Sequence, residues 1–149
     1  MKHVLVSACL LGMPCRYDGR SKPTALTELS RAAALVPFCP EIYGGLPTPR
    51  PSAERDGERV NTKDCTDVTE AFHRGAALAV ELAKALDCRY ALLKDKSPSC
   101  GRGRIYDGTF TGTLTDGSGV AAEALERAGV RVFLPQELDA LLAALRQDE

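Results

Sequence analysis

Apolar positions along the chain alternate between two rhythms, and the change of rhythm marks the elements. Residues 3–8 are β-prone and apolar on both sides, the pattern of a buried parallel strand. Residues 23–34 carry Leu26, Leu29 and Ala33 on one helical face. Residues 35–38 read as a second strand, which Pro37 assigns to a sheet edge or a strand start. A long helix is expected from Asp67 to about Leu86, with Asp67 as N-cap and Glu70 as its capping-box partner. Its apolar stripe is Val68, Phe72, Ala76, Ala79, Leu82, Ala83 and Leu86. Residues 89–94 form a third strand and residues 119–128 a helix closed by Gly129. Residues 130–134 form a fourth strand, and residues 136–145 a last helix facing inward through Leu138, Leu141, Leu142 and Leu145. This alternation predicts an α/β fold. We expect a single three-layer domain over residues 1–149, with a parallel sheet of about four strands and helices on both faces.

Two stretches lack a clear rhythm. From Cys39 to Cys65, Pro40, Gly44, Gly45, Pro47, Pro49 and Pro51 impose extended and turn conformations, the composition of a rigid functional wall. Residues 106–113 alternate enough for a short hairpin or an irregular arm. The first three strands also share an ending. The first runs into Cys9, the second into Cys39, and the third, through Ser97-Pro-Ser99, into Cys100. Ligands of open parallel sheets bind beyond the carboxyl ends of the strands. The three cysteines are therefore expected to meet there.

Composition narrows the chemistry. A net charge of −1, with 26% charged and 44% apolar residues, demands neither a nucleic-acid nor a membrane partner. Arg16, Arg20, Lys22, Arg50, Lys94, Lys96, Arg102 and Arg104 all fall in the loops behind the cysteines. They are either solvated loop residues or a basic rim that attracts an anionic or nucleotide-like ligand. Six cysteines without a secretion signal imply a reducing, cytoplasmic setting and free or metal-bound thiols. The apolar residues 4–13, about ten in number, are too few for a membrane span and lack a small-x-small cleavage site.

The chain has no dinucleotide fingerprint, phosphate loop or zincin helix, and its only histidines are His3 and His73, the latter read as a surface residue. Paired Cys-x-x-Cys spacing is absent too, which argues against a zinc ribbon. Single cysteines that converge from strand ends suit an iron–sulfur cluster, and three protein ligands would leave one iron free as a Lewis acid. Cys88 and Cys65 read as small buried hydrophobes, and Cys15 as either a fourth ligand or a reactive thiol. Glu41, two residues past Cys39, and Ser97 and Ser99, beside Cys100, are candidates for proton work and hydrogen bonding. Asp18 and Asp107 each sit in a Tyr-Asp-Gly turn.

Several motifs together resemble a known family. They are Val6-Ser-Ala-Cys-Leu-Leu-Gly12, Cys15-Arg-Tyr-Asp-Gly19, Cys39-Pro-Glu41, Gly44-Gly-Leu-Pro-Thr-Pro-Arg50, Asp67-Val-Thr69 and Ser97-Pro-Ser-Cys-Gly101. The family is a small bacterial one, formerly of unknown function, that includes the [4Fe-4S]-dependent thiouracil desulfidases. The resemblance covers nearly the whole chain in the right order. It implies an oxygen-sensitive [4Fe-4S] cluster held by Cys9, Cys39 and Cys100, and a hydrolytic removal of sulfur from a thiolated pyrimidine base. The substrate sulfur would bind the open iron. The family's acid/base glutamate maps to Glu41 and its serine to Ser97, with Ser99 adjacent. The implied partner is a small thiolated base or nucleoside, with RNA not indicated and no membrane. The residues alone also admit a non-catalytic metal- or RNA-binding module, with zinc or a structural cluster stapling the loops.

Overall fold

The computed structural model describes residues 1–148. In chain order it contains β1 (His3–Ser7), a 3-10 turn (Ala8–Leu11), α1 (Thr27–Ala32), β2 (Ala34–Phe38), α2 (Pro40–Tyr43), β3 (Ala53–Asp56) and β4 (Arg59–Thr62). These are followed by α3 (Thr69–Ala85), β5 (Tyr90–Leu92), β6 (Arg104–Tyr106), β7 (Leu114–Asp116), α4 (Val120–Arg127), β8 (Arg131–Phe133) and α5 (Leu138–Gln147). Four strands make one parallel sheet in the order β2-β1-β5-β8.

The unbroken apolar run of β1 follows from its place inside that sheet. Val4, Leu5 and Val6 are all fully buried, because each face of the strand is covered by helices. Val4 and Val6 join Leu92 and Phe133 against Leu29 of α1 and Leu141 and Leu145 of α5. Leu5 joins Ala91 and Val132 against Ala79 and Ala83 of α3 and Leu125 of α4. The result is the expected three-layer α/β arrangement. Pro37 lies on β2, a sheet edge, where its missing N–H costs no ladder bond.

The chain leaves β1 in one direction to make β2 and returns to the other side to make β5 and β8. The strand order therefore reverses beside β1, and the crevice beyond its carboxyl end is where such folds bind ligands.

Several boundaries differ from the expectation. The first helix forms only over Thr27–Ala32, because Lys22 and Thr24 spend their N–H groups on the carbonyls of Cys9 and Leu10. The stretch after Cys39 is not free of regular structure: it holds the single turn α2 and the antiparallel pair β3–β4. Residues 107–113 are the loop of a hairpin whose strands, β6 and β7, flank it. The capping box at α3 does not form. Asp67 accepts the Thr69 N–H at 2.9 Å, but Glu70 turns to Arg74 at 3.4 Å.

Two glycines set the loops of the sheet edge against the helices. A Cβ on Gly75 of α3 would stand 1.9 Å from the carbonyl oxygen of Pro40, and one on Gly119 would stand 2.5 Å from the carbonyl carbon of Ser99. The Cys39–Glu41 segment thus lies directly on α3, and the Ser97–Cys100 loop on the start of α4. No helix among the described residues is long and apolar enough to cross a membrane. Gly75→Ala is expected to cost about 1–3 kcal/mol through overpacking and to lower the thermal midpoint by roughly 5 °C. An unchanged melting curve would show that α2 has room to retreat.

Candidate active site

Beyond the carboxyl ends of β1, β2 and β5 lies a cavity of about 390 Å³. Cys9, Cys39, Cys100, Glu41, Ser97 and Ser99 all line it, so the side chains singled out in three separate loops meet in one place. Cys15 joins them. Its carbonyl oxygen accepts from the Cys39 thiol at 3.9 Å. Cys88 is buried in the core between the sheet and α3, as expected. Cys65, expected to be a buried hydrophobe, is exposed, because it falls in the turn that follows β4. Asp18 and Asp107 are turn residues and do not line the cavity; each accepts the N–H two residues ahead, from Arg20 at 3.0 Å and Thr109 at 2.9 Å.

The Ser97–Gly101 loop is rigid for reasons that can be counted. Ser97 Oγ accepts the N–H groups of Cys100 at 2.7 Å and Ser99 at 3.3 Å, and Gly101 donates to the Ser97 carbonyl at 3.0 Å. The first N–H groups of α4, which have no partner inside the helix, are taken by the carbonyls of Pro98 and Ser99 at 2.8 and 3.0 Å. At the base of the crevice, Lys94 N–H donates to Ser7 Oγ at 3.0 Å and ties the ends of β5 and β1 together.

Glu41 is held at both oxygens. Arg50 Nε donates to Oε1 at 3.0 Å, and the Ser99 hydroxyl donates to Oε2 at 2.8 Å. The pair is well buried, with side-chain exposures of 5% for Arg50 and 15% for Glu41. The same guanidinium donates to the carbonyls of Cys15 at 2.9 Å and Pro47 at 3.1 Å, and to Thr48 Oγ1 at 2.9 Å. Arg50 therefore locks the loops after β1 and β2 to one another and to the carboxylate. The Ser97 hydroxyl is 3.2 Å from that of Ser99, which completes a line Ser97–Ser99–Glu41–Arg50.

The thiols feel one another and their burial. Desolvation pushes Cys100 up to about 12, against smaller opposing pulls from its hydrogen bonds with Ser7 and Ser99. Cys39 is raised by its hydrogen bond to Cys15 and then by burial. Cys9 is lowered, because the hydrogen bond from Cys15 outweighs its own burial. Among the described residues no three His, Cys, Asp or Glu side chains gather closely enough to hold a single metal ion. The thiols instead stand around the wall of the cavity.

Only part of the expected basic rim reaches the site. Arg16, Arg50, Lys94 and Lys96 line the cavity, whereas Arg20, Lys22, Arg102 and Arg104 do not. Arg102 pairs with Glu137, and Arg104 with Asp116 at 3.0 Å. The expected wall of residues 39–65 does reach the cavity, through Glu54 and Lys63 among others, but neither these two nor Phe110, which also lines it, stood out individually in the sequence. They are carried by the β3–β4 and β6–β7 hairpins, whose short strands have little apolar alternation.

A doubly wound α/β fold whose switch point holds thiols, serines and an arginine-held carboxylate defines a cysteine-centred site for a small molecule. Residues 4–137 match the family model described as 2-thiouracil desulfurase. The chain belongs to the 2-thiouracil desulfurase family and is, as a member, a desulfidase. It is 40% identical to YbbK of Bacillus subtilis (strain 168), a protein described as uncharacterized, over 93% of this chain and 99% of that one. It is also similar to a solved [4Fe-4S]-dependent thiouracil desulfidase, TudS, at 49% identity, with a TM-score of 0.95 and 99% of each chain covered.

The Arg50–Glu41 pair yields a test that does not depend on activity. Removing one partner of a buried ion pair strands the other charge, at a cost of about 3–5 kcal/mol. Arg50→Met should destabilise the protein by about that much in urea unfolding, and adding Glu41→Gln should recover a good part of the loss. Strictly additive losses would show that the two side chains are not energetically linked.

Proposed function

We propose that this enzyme hydrolyses the carbon–sulfur bond of a thiolated pyrimidine base, with Cys9, Cys39 and Cys100 holding a [4Fe-4S] cluster. The net reaction converts C=S and water into C=O and hydrogen sulfide, with no change of oxidation state. The observation that carries this reading is the line Ser97–Ser99–Glu41–Arg50 running alongside three strand-end thiols in one cavity.

The residues present fit the cluster. Iron–sulfur clusters are held by cysteine thiolates, and a coordinating metal removes the proton from a thiol outright. Donors spread around a wall suit a polynuclear group better than one zinc ion. When bound, the cluster supplies an iron without a protein ligand, a Lewis acid for the thiocarbonyl sulfur.

The chain itself supplies the proton management. With Oε1 fixed by Arg50, Glu41 has Oε2 facing the serines, and it takes the proton of the attacking water and returns one to the departing sulfur. Ser97 accepts two backbone N–H groups, which leaves its own hydrogen for Ser99 or for the substrate. Ser99, 3% exposed, relays between Ser97 and Glu41. Glu41, Ser97 and Ser99 are the catalytic residues in this scheme, and Arg50 is a positioning residue. The cavity of about 390 Å³ is shared with the cluster, so what remains suits a small base. A non-catalytic metal- or RNA-binding module would have no use for a serine–carboxylate line, and family membership favours catalysis.

General acid–base help is typically worth about 10²–10⁴ in rate. Glu41→Gln should therefore keep its iron but release sulfide from 2-thiouracil at least about a hundredfold more slowly in a single turnover of iron-matched protein. Near-normal release would place the base elsewhere.

A further inference from the structure

One wall of the cavity has no part in the chemistry so far. It is built by the end of β6, which brings Tyr106 to the cavity, and by the loop after it, which brings Phe110. The loop is short, yet it is clamped. The Glu54 carboxylate of β3 accepts the N–H groups of Gly108 at 3.0 Å and Phe110 at 3.1 Å through a single oxygen. Asp107 N–H closes the base of the loop on the Thr113 carbonyl at 3.0 Å, and a Cβ on Gly108 would stand 3.0 Å from Asp56 Cβ, so the loop rests on β3.

Phe110 itself has φ +59°. A bulky side chain in left-handed backbone is strained, and such strain persists only where the surroundings enforce it. The clamp enforces it here, and the outcome is a half-buried aromatic ring at a cavity rather than in a core. Packing does not explain that expense. None of the three apolar core clusters among the described residues contains Phe110 or Tyr106.

We propose that Phe110, held by the Glu54 clamp in a cavity that Tyr106 also lines, is the stacking wall for the substrate heterocycle and selects flat, conjugated rings. This rests on the function proposed above and names the residue that sets its specificity. A neutral pyrimidine offers no charge to grip but always a π-face, on which an aromatic side chain can stack whatever the base.

The test uses the cluster-loaded enzyme. Phe110→Ala should raise the KM for 2-thiouracil about tenfold with kcat changed less than about twofold. Phe110→Trp should restore the KM and, because the chain has no tryptophan, provide a single indole whose fluorescence uracil quenches saturably. A Phe110→Ala variant that loses kcat or iron while keeping its KM would show that the ring only supports the loop. Failure of uracil to quench the indole saturably would likewise overturn the stacking wall. If the wild type does not turn over 2-thiouracil but uracil quenches saturably, the wall stands and the desulfidase substrate is wrong.

Discussion

Arg50 and Glu41 form a buried ion pair at the point where three loops of the sheet edge meet, and the geometry of the site depends on that contact. The guanidinium reaches Glu41, the Cys15 carbonyl and the Pro47–Thr48 segment at once, using Nε and both terminal nitrogens. Arginine suits this task because its planar fork holds several acceptors in fixed directions. The arrangement costs desolvation of two charges, and such pairs are seldom retained for stability alone. Here the return is positional: a carboxylate aimed at a serine hydroxyl beside the thiols.

The backbone around that pair is set by close approach. Gly75 and Gly119 allow the Pro40 and Ser99 backbones to lie against α3 and α4. The Ser97–Gly101 loop takes up the unpaired N–H groups that open α4. A loop that completes a helix terminus cannot drift without exposing buried donors. Cys39, Glu41, Ser99 and Cys100 are therefore placed by structural elements rather than by flexible side chains reaching inward.

Much of this was legible in the sequence. Cys9, Cys39 and Cys100 could be read as neighbours because each follows a strand of a parallel sheet, Cys100 at the end of a loop beyond β5, and that topology follows from local apolar rhythm. Glu41 and the two serines came with their cysteines. Residues 39–65 were legible as a functional wall, but its cavity-lining members Glu54 and Lys63, and Phe110 further along, were not. Glu54, Lys63 and Phe110 are brought to the cavity by hairpins of three or four residues a strand, whose pairing is set by turns and by side-chain clamps such as Glu54. The neutralisation of Arg102 by Glu137 was also invisible, since the partners lie 35 residues apart. The exposed Cys65 was misread because its turn follows a strand that the local pattern did not reveal.

The proposed iron centre is polynuclear and held by three thiols from the loops that follow β1, β2 and β5. Iron and acid-labile sulfide per chain, measured after anaerobic reconstitution of a serine series, test it most directly. Wild type, Cys15→Ser and Cys88→Ser should each hold about four irons, with the broad visible absorption of a thiolate-bound cluster. Cys9→Ser, Cys39→Ser and Cys100→Ser should each hold far fewer. Full iron content in any one of these last three, or its loss in Cys15→Ser alone, would contradict the ligand set.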